Sequence, residues 1–447
     1  MNNPFKPTFL ACLVVVALPT IALAQPLKET IAQTLESHPQ QLRAIERQAA
    51  AAEQVAMEES GYRPTIDLQA GFGRERAFKS SSDDWYTRRE AGISVRQMLF
   101  DGYETKSRVE ASQAGERAEQ ARTAEQAEIL ALEVATVYLD VIRQRQLLES
   151  TRDNLAAHQE TFNKISRRAD MGVGSLADAT QARGRLALAN YNLSVVQGNL
   201  WESETNFERV VGYKPGELEL PTDDCCTHLP FTSEDARYLA IMEHPRFAAT
   251  LADHEASLSQ IGVAKSAMQP KVFLELDYST DNGANGAGLR KQTAAAMLRA
   301  SQNVYRGGAD EARVAANEHR ADVARAQGEK DQRDLEADAK IAWYRLESVY
   351  QQLPELDRRQ REAQGTRDAY TKQFNIGQRT LLDLLDSENE LFTANNELIS
   401  AKIDEQLARY TLLARVGRLL EFMELAAPQH PDQHLPDVAQ GEKVVLN

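Results

Sequence analysis

The 447-residue sequence contains two copies of one pattern, about 205 residues apart. His38-Pro39 recurs as His244-Pro245, and Pro64 recurs as Pro270, both 206 residues later. Further pairs recur at an offset of 205: Gly102 with Gly307, Tyr138 with Trp343, Gly172 with Gly377, Asp178 with Asp383, Asn190 with Asn395, Leu193 with Leu398 and Gly212 with Gly417. Solenoid repeats are much shorter, about 20 to 50 residues. The chain is therefore a tandem duplication of a domain-sized unit.

Each copy has the same predicted order of elements: a helix, two strands and a long helical hairpin. The copies span 25–222 and 231–425, and a linker at 223–230 joins them. The strand hairpins are predicted at 65–98 and 271–303, and the helical hairpins at 103–212 and 308–420. The polar, proline-rich tail at 426–447 is predicted to be flexible.

The first 24 residues have the pattern of a secretory signal peptide, with an apolar run that ends in Ala22-Leu23-Ala24. The rest of the sequence contains no run of 18 apolar residues, the length that would predict a transmembrane helix. Adjacent Cys225 and Cys226 in the linker indicate neither a disulfide framework nor a metal site. The formal net charge of −15 argues against a nucleic-acid partner, because binding to phosphates needs clustered lysine and arginine.

Residues 65–73 alternate between apolar and polar side chains, and the pattern returns after a predicted polar loop at 74–89. The second copy repeats it around a predicted loop at 279–291. One predicted face carries Ile66, Leu68, Leu274 and Leu276, and the other carries Asp67, Gln69, Glu275 and Asp277. Strands of about ten residues suit a tilted transmembrane β-strand. The alternation alone fits a soluble hairpin with one face on a core equally well.

Long helices are predicted after each strand pair. No proline occurs from Tyr103 to Ala169, and a helix of this length would extend roughly 100 Å. Apolar residues spaced by three and four from 127 to 169 predict coiled-coil packing. In the second copy, Pro354 predicts a kink or an interruption. The helical hairpins turn at glycines, namely Gly172, Gly174 and Gly377.

Several short segments resemble those of the TolC-like outer membrane efflux and secretion channels. They are FNIGQRTLLDLLDSENELFTANNEL (374–398), QMLFDG (97–102), QNVYRG (302–307) and GYRP (61–64). The resemblance covers the mature chain to about residue 425. It implies a mainly α fold with a membrane β-barrel, in which three chains form a twelve-stranded barrel and a long helical periplasmic tunnel. Four strands alone cannot close a barrel, since about eight are needed, and lipid does not tolerate an open sheet edge.

The same resemblance implies a periplasmic gate at the glycine tips. In this family's pattern, an arginine of the second tip pairs with an aspartate of the first. Carried over to this chain, Arg379 pairs with Asp178. Phe374 and Ala177 stand where such channels can carry a tyrosine and a threonine, so that additional hydrogen bond is absent here.

Asp383 and Asp386, three residues apart, are implied by the resemblance to line the constriction. The alternative for these acidic residues and for Asp178 is simpler: an aspartate near a helix start caps the helix or keeps its surface soluble. Both interpretations remain open from the sequence.

The resemblance implies an exit duct in the outer membrane, not an enzyme, and no cofactor. Its partners would be two further copies, a periplasmic adaptor, an inner-membrane ABC or other transporter, and outer-membrane lipid. The lack of a lipid-anchor cysteine and the second tip favour type I secretion of a large protein such as an adhesin or toxin; multidrug or small-molecule efflux is the alternative. A periplasmic coiled-coil adaptor or scaffold is less compatible with the sequence, since it would lack the strand hairpins. No GxSxG, HExxH or P-loop pattern indicates an enzyme.

Overall fold

The structure is a computed structural model that describes residues 26–79, 82–221, 229–282 and 290–428, with the backbone alone at 77–79 and 82–84. The predicted signal peptide at 1–24 lies outside the described residues. So do Cys225, Cys226 and most of the predicted tail.

The two copies have the same order of elements. The first contains α1 (Leu27–Ser37), α2 (Pro39–Glu59), a short 3-10 turn (Ser60–Tyr62), β1 (Thr65–Lys79), β2 (Ser82–Phe100), α3 (Glu104–Asp170) and α4 (Leu176–Val211). The second contains α5 (Ser233–Glu243), α6 (Pro245–Ser266), β3 (Lys271–Asn282), β4 (Arg290–Ser301), α7 (Ala309–Asn375) and α8 (Leu381–Arg415), followed by the short α9 (Leu419–Phe422). The predicted mainly α fold with duplicated halves is confirmed.

The strands form one antiparallel sheet in the order β1-β2-β3-β4. The predicted loop at 74–89 is wrong, because β1 and β2 stay paired until Lys79 faces Ser82. Alternation continues there with charged side chains instead of apolar ones, and the Arg88 guanidinium lies 3.1 Å from a Glu75 carboxylate oxygen across the strands. The loop predicted at 279–291 is also shorter in the structure, since β3 continues to Asn282 and β4 begins at Arg290.

Helices from both copies share the largest core. Tyr138 on α3 and Tyr410 on α8 are fully buried there, together with Phe207 on α4 and Leu419 on α9. The Tyr138 hydroxyl donates to the Glu219 carbonyl at 2.9 Å. Because this core joins elements 250 residues apart and more, the two copies fold as one unit.

Pro354 does not interrupt α7, which continues as one helix of 67 residues. A proline removes one backbone hydrogen bond and crowds the preceding turn. Beyond the proline α7 packs along α8, where the Gln360 side-chain amide donates to Asn395 Oδ1 at 3.0 Å, and this packing offsets the local cost. The predicted interruption is therefore wrong.

Glu128 joins the two copies in a way that the sequence pattern did not reveal. Its buried carboxylate on α3 accepts the backbone N–H groups of Leu419, at 3.1 Å, and of Leu420, at 3.2 Å. These are among the N–H groups that the start of α9 leaves without a helical partner. Burial raises the pKa of Glu128 to about 7, and the two N–H groups oppose that rise. A glutamate within a helical pattern carries no sequence feature that would have identified this contact.

The repeated His-Pro pairs are helix caps. His38 and His244 are the N-cap residues of α2 and α6, each followed by proline at the first helical position. The Gln40 N–H donates to His38 Nδ1 at 3.3 Å, and the Arg246 N–H donates to His244 Nδ1 at 3.2 Å. Both rings must be neutral at Nδ1 to accept these bonds. The repeat thus preserves a capping function.

Acid should destabilise the fold through His244. Burial, then the nearby Arg246 and Arg415, lower the pKa of His244 from 6.5 to about 4. Between pH 6.5 and 4 the folded protein binds fewer protons than the unfolded chain. The stability that neutral His244 contributes is therefore complete above pH 6.5, and up to about 3 kcal/mol of it is lost as the pH falls through 4. We expect His244→Ser, which keeps a capping oxygen, to flatten the decline of melting temperature between pH 7 and 4. An unchanged decline would contradict the assignment.

Candidate functional site

The two helical hairpins turn through the same backbone motif. Gly172 and Gly377 have φ angles of 72° and 80°, a region that favours glycine. At the first turn the Val173 N–H donates to the Arg168 carbonyl at 3.0 Å, and at the second the Gln378 N–H donates to the Gln373 carbonyl at 2.9 Å. Each glycine N–H also bonds back to the residue three before it. Both tips are therefore Schellman motifs, which end a helix sharply.

Gly174 is needed for a different reason. A Cβ built on it would lie 2.9 Å from the Ala169 backbone nitrogen and 3.0 Å from the Arg168 carbonyl carbon. The backbone of the turn therefore packs against the end of α3 without room for a side chain.

A second motif starts the returning helices. Ser175 and Thr380 are the N-caps of α4 and α8, which places Asp178 and Asp383 at the third helical position of each. Thr380 and Asp383 form a complete capping box: the Asp383 N–H donates to Thr380 Oγ1 at 3.2 Å, and the Thr380 N–H and hydroxyl donate to the Asp383 carboxylate at 3.3 and 2.9 Å. The capping interpretation of Asp383 is thus supported, with Thr380 as the N-cap residue and Asp383 as its partner.

Phe374 is an apolar core residue of the tips. It is 9% exposed and packs with residues of both hairpins, namely Ile165, Ala179, Ala182, Leu381, Leu384 and Leu385. The Arg168 guanidinium lies 5.6 Å from the centre of its ring. The side chain therefore holds the two hairpins side by side, which the resemblance did not imply.

Arg379 is held against its own hairpin. Its guanidinium lies 4.3 Å from the Tyr370 ring centre, donates to Gln373 Oε1 at 2.9 Å and lies 3.8 Å from an Asp383 oxygen. In the described part of the chain, no ion pair joins it to Asp178, which is half-buried at the start of α4. The Arg379–Asp178 pair thus stays a prediction, and it can form only if one of these tips moves or if the two residues belong to different copies.

Asp386 has a partner that the sequence analysis missed. A carboxylate oxygen lies 3.1 Å from the Arg185 guanidinium on α4, and both side chains are partly exposed. Exposed pairs of this kind contribute only about 0 to 1 kcal/mol. Asp383 and Asp386 are therefore partly neutralised within one chain, Asp383 by Arg379 and Asp386 by Arg185.

The sheet presents one apolar face that the chain itself does not cover. Directly paired residues share a face, and one row across the strands consists of Ile66, Val95, Leu276 and Ala296. The next consists of Leu68, Ile93, Tyr278 and Ala294. Leu68 is 83% exposed and Ile66 is 66% exposed. Such a large exposed apolar surface indicates contact with another protein or with lipid.

The opposite face is polar and internally paired. Glu275 lies between two arginines, 3.0 Å from Arg96 and 2.6 Å from Arg299. Towards the β1–β2 turn, Arg88 lies 2.6 Å from Glu90. The two faces therefore differ as the alternation predicted, and most of the arginines on the polar face are matched by carboxylates.

Over the residues that the structure describes, no α-helix is both long enough and apolar enough to cross a bilayer. Within the same ranges, no group of three or more histidine, cysteine, aspartate or glutamate side chains is arranged to hold a metal ion.

Sequence comparison shows which proteins share this architecture. The chain is 26% identical over 385 residues to the outer membrane efflux protein BepC of Brucella suis, covering 86% of this chain and 83% of BepC. It is 24% identical over 417 residues to the alkaline protease secretion protein AprF of Pseudomonas aeruginosa, covering 88% of this chain and 85% of AprF.

A solved structure has the same fold. The outer membrane protein VceC of Vibrio cholerae superposes with a TM-score of 0.76 at 16% identity, over 88% of this chain and 96% of VceC. The outer membrane efflux protein family itself matches residues 30–213 and 236–418, which are the two copies of the duplication. Members of this family are conduits of the outer membrane and not enzymes. Because the match covers both copies, this chain belongs to the outer membrane efflux protein family.

Proposed function

We propose that three copies of this chain form one exit duct through the outer membrane. The observation that supports it most is the four-stranded sheet, which has an uncovered apolar face and two outer strands, β1 and β4, that pair on one side only. Three such sheets joined edge to edge give twelve strands and leave no edge open to lipid. The apolar face would then contact lipid, and the polar face would line the lumen.

The long helices would continue the duct into the periplasm. α3 and α7 each contain 67 residues, a length of roughly 100 Å. Both glycine tips lie at the end of these helices away from the sheet. In this arrangement, the tips face the inner membrane and meet a periplasmic adaptor and an inner-membrane transporter of the ABC or another class.

The tips would form the gate of the duct. Exposed Met171, Val173 and Ile376 surround the two turns, at 69%, 75% and 69% exposure, and offer apolar contacts to an adaptor. Asp178 has no ion-pair partner within the described chain and so is available to Arg379 of a neighbouring copy. We infer that this pair holds the entrance closed and that Asp383 and Asp386 line it.

The cargo that we propose is a large protein, exported by type I secretion. The support is the similarity to AprF, a secretion protein by name, together with the second tip sequence. Efflux of small molecules is the second candidate, and the similarity to BepC supports it. A duct has no substrate pocket, so the transporter partner determines which cargo passes.

Deletion of the gene, with and without complementation, separates these two cargo classes. We expect the deletion to remove one or a few large proteins from the culture supernatant and to leave them inside the cells. The complemented strain should restore their export. A deletion that lowers the inhibitory concentrations of several unrelated compounds, with an unchanged supernatant, would instead identify the chain as a drug-efflux duct.

A further inference from the structure

The outward face of the sheet changes from apolar to basic towards the turns. Its apolar rows end with the row of Leu68, Ile93, Tyr278 and Ala294, and the next row consists of Ala70, Ala91, Thr280 and Gln292. Beyond that row it carries four arginines, Arg74, Arg76, Arg89 and Arg290, all exposed. Among the side chains described at this level, the outward face contains no carboxylate.

These arginines lie in neighbouring rows with aromatic residues. Arg89 pairs with Phe72 on β1 and with Asn282 on β3, and Asn282 pairs in turn with Arg290 on β4. The Arg89 guanidinium lies 5.8 Å from the centre of the Phe72 ring, and that of Arg74 lies 6.0 Å from the Trp85 ring. A guanidinium placed over a ring keeps its N–H edges available to an anion.

The outward arginines differ from the inward ones in their partners. Arg88, Arg96 and Arg299, on the polar face, each pair with a carboxylate. Arg74, Arg89 and Arg290 form no ion pair with any carboxylate in the described ranges, and Arg290 donates only to the Thr280 hydroxyl, at 3.2 Å. The outward face therefore has an excess of positive charge immediately above an apolar band.

We propose that this surface, the arginine girdle of Arg74, Arg89 and Arg290, binds phosphate groups of lipid headgroups in the leaflet at the turn end of the sheet. The inference rests on the proposed function, because it needs the apolar band to lie in the bilayer. Aromatic side chains at this level mark the membrane interface. Guanidinium groups bind phosphate oxygens through two parallel hydrogen bonds. In a trimer the girdle would contain nine arginines around one ring.

Lipid binding to the purified trimer in neutral detergent tests this proposal. Native mass spectrometry would compare dioleoyl phosphatidic acid, whose phosphate is a monoester, with dioleoyl phosphatidylcholine. We expect the wild type to prefer phosphatidic acid. The variant Arg74→Gln/Arg89→Gln/Arg290→Gln should lose this preference, by about fivefold in affinity for each arginine removed.

A matched control removes the same charge from the inward face, as Arg88→Gln/Lys291→Gln/Arg299→Gln. It should retain the preference for phosphatidic acid. The charge-retaining variant Arg74→Lys/Arg89→Lys/Arg290→Lys should keep only part of the preference, because lysine keeps the charge but cannot form the two parallel hydrogen bonds. Single glutamine variants measure the effect per residue if the triple variant does not assemble. Equal losses from outward and inward variants would show that net charge alone attracts the lipid and would overturn the proposal.

Two further results test whether the bound phosphate belongs to a lipid or is free, and whether the proposed duct exists at all. If inorganic phosphate at the same concentration as phosphatidic acid displaces that lipid completely, the site prefers free phosphate to a lipid headgroup, and the proposal fails. If the protein forms trimers that insert into bilayers but bind both lipids equally, the girdle is wrong and the duct stands. If it forms no bilayer-inserted trimer at all, both proposals are removed.

Discussion

Leu276→Arg should abolish assembly of the trimer in the outer membrane. Leu276 lies in the middle of an outward row with Ile66, Val95 and Ala296, and it is 43% exposed in the single chain. If that row lies near the bilayer midplane, each arginine costs about 2 to 4 kcal/mol, and three symmetry-related copies multiply the cost. Few membrane proteins are stable enough to absorb such a change.

Asp277→Arg is the control, because its side chain lies on the other face of the same strand one residue later. Asp277 pairs in register with Ser94 and Ala295, and an arginine there would project into the lumen. Glu275, on the same face, is a poor control, because Arg96 and Arg299 both contact its carboxylate. An arginine at that position would leave three positive charges together.

The measurement is the amount of trimer in outer-membrane fractions, resolved by electrophoresis without heating. We expect trimer from Asp277→Arg at nearly the wild-type level and little or none from Leu276→Arg. If both variants assemble equally well, the apolar face does not contact lipid, and the orientation of the sheet must be abandoned.

The sequence predicted the helices and strands correctly where apolar residues recurred at regular spacing. It failed where charged residues or a proline broke that spacing within one helix or strand. Residues 74–89 were predicted as a loop because charged side chains replaced apolar ones, yet the backbone pairing continues and the charges pair across strands, as Arg88 and Glu75 show. Pro354 does not interrupt α7, because the helix remains packed along α8. In both cases, contacts distant in sequence determined the local conformation.

The positions of the two tips could be predicted from the sequence, whereas the partners of their charged side chains could not. Repeated glycines located both tips, and the position of the aspartates near the helix starts indicated a capping function. The partner of Asp386 could not be predicted, because Arg185 lies about 200 residues earlier and meets it only when the two hairpins pack. The role of Arg379 depends on contacts between copies, which one chain does not contain.

Breaking the proposed tip pair should open the duct. Asp178→Ala and Arg379→Ser should each raise the single-channel conductance of the trimer in a planar bilayer. One exposed ion pair contributes less than about 1 kcal/mol. Three equivalent pairs released together shift the closed-to-open equilibrium by a few kcal/mol, which changes the open population about tenfold or more.

A charge exchange makes this prediction specific to the pair. Asp178→Arg with Arg379→Asp should restore the low conductance, whereas either change alone should leave the duct open. Asp383→Asn with Asp386→Asn serves as the comparison, because asparagine can still cap α8 while the acidic charge is lost. That variant should mainly weaken cation selectivity. If Asp178→Ala and Arg379→Ser leave the conductance unchanged while trimers remain intact, Arg379 contacts only Tyr370, Gln373 and Asp383 of its own hairpin, and Asp178 is an ordinary residue of the first turn of α4.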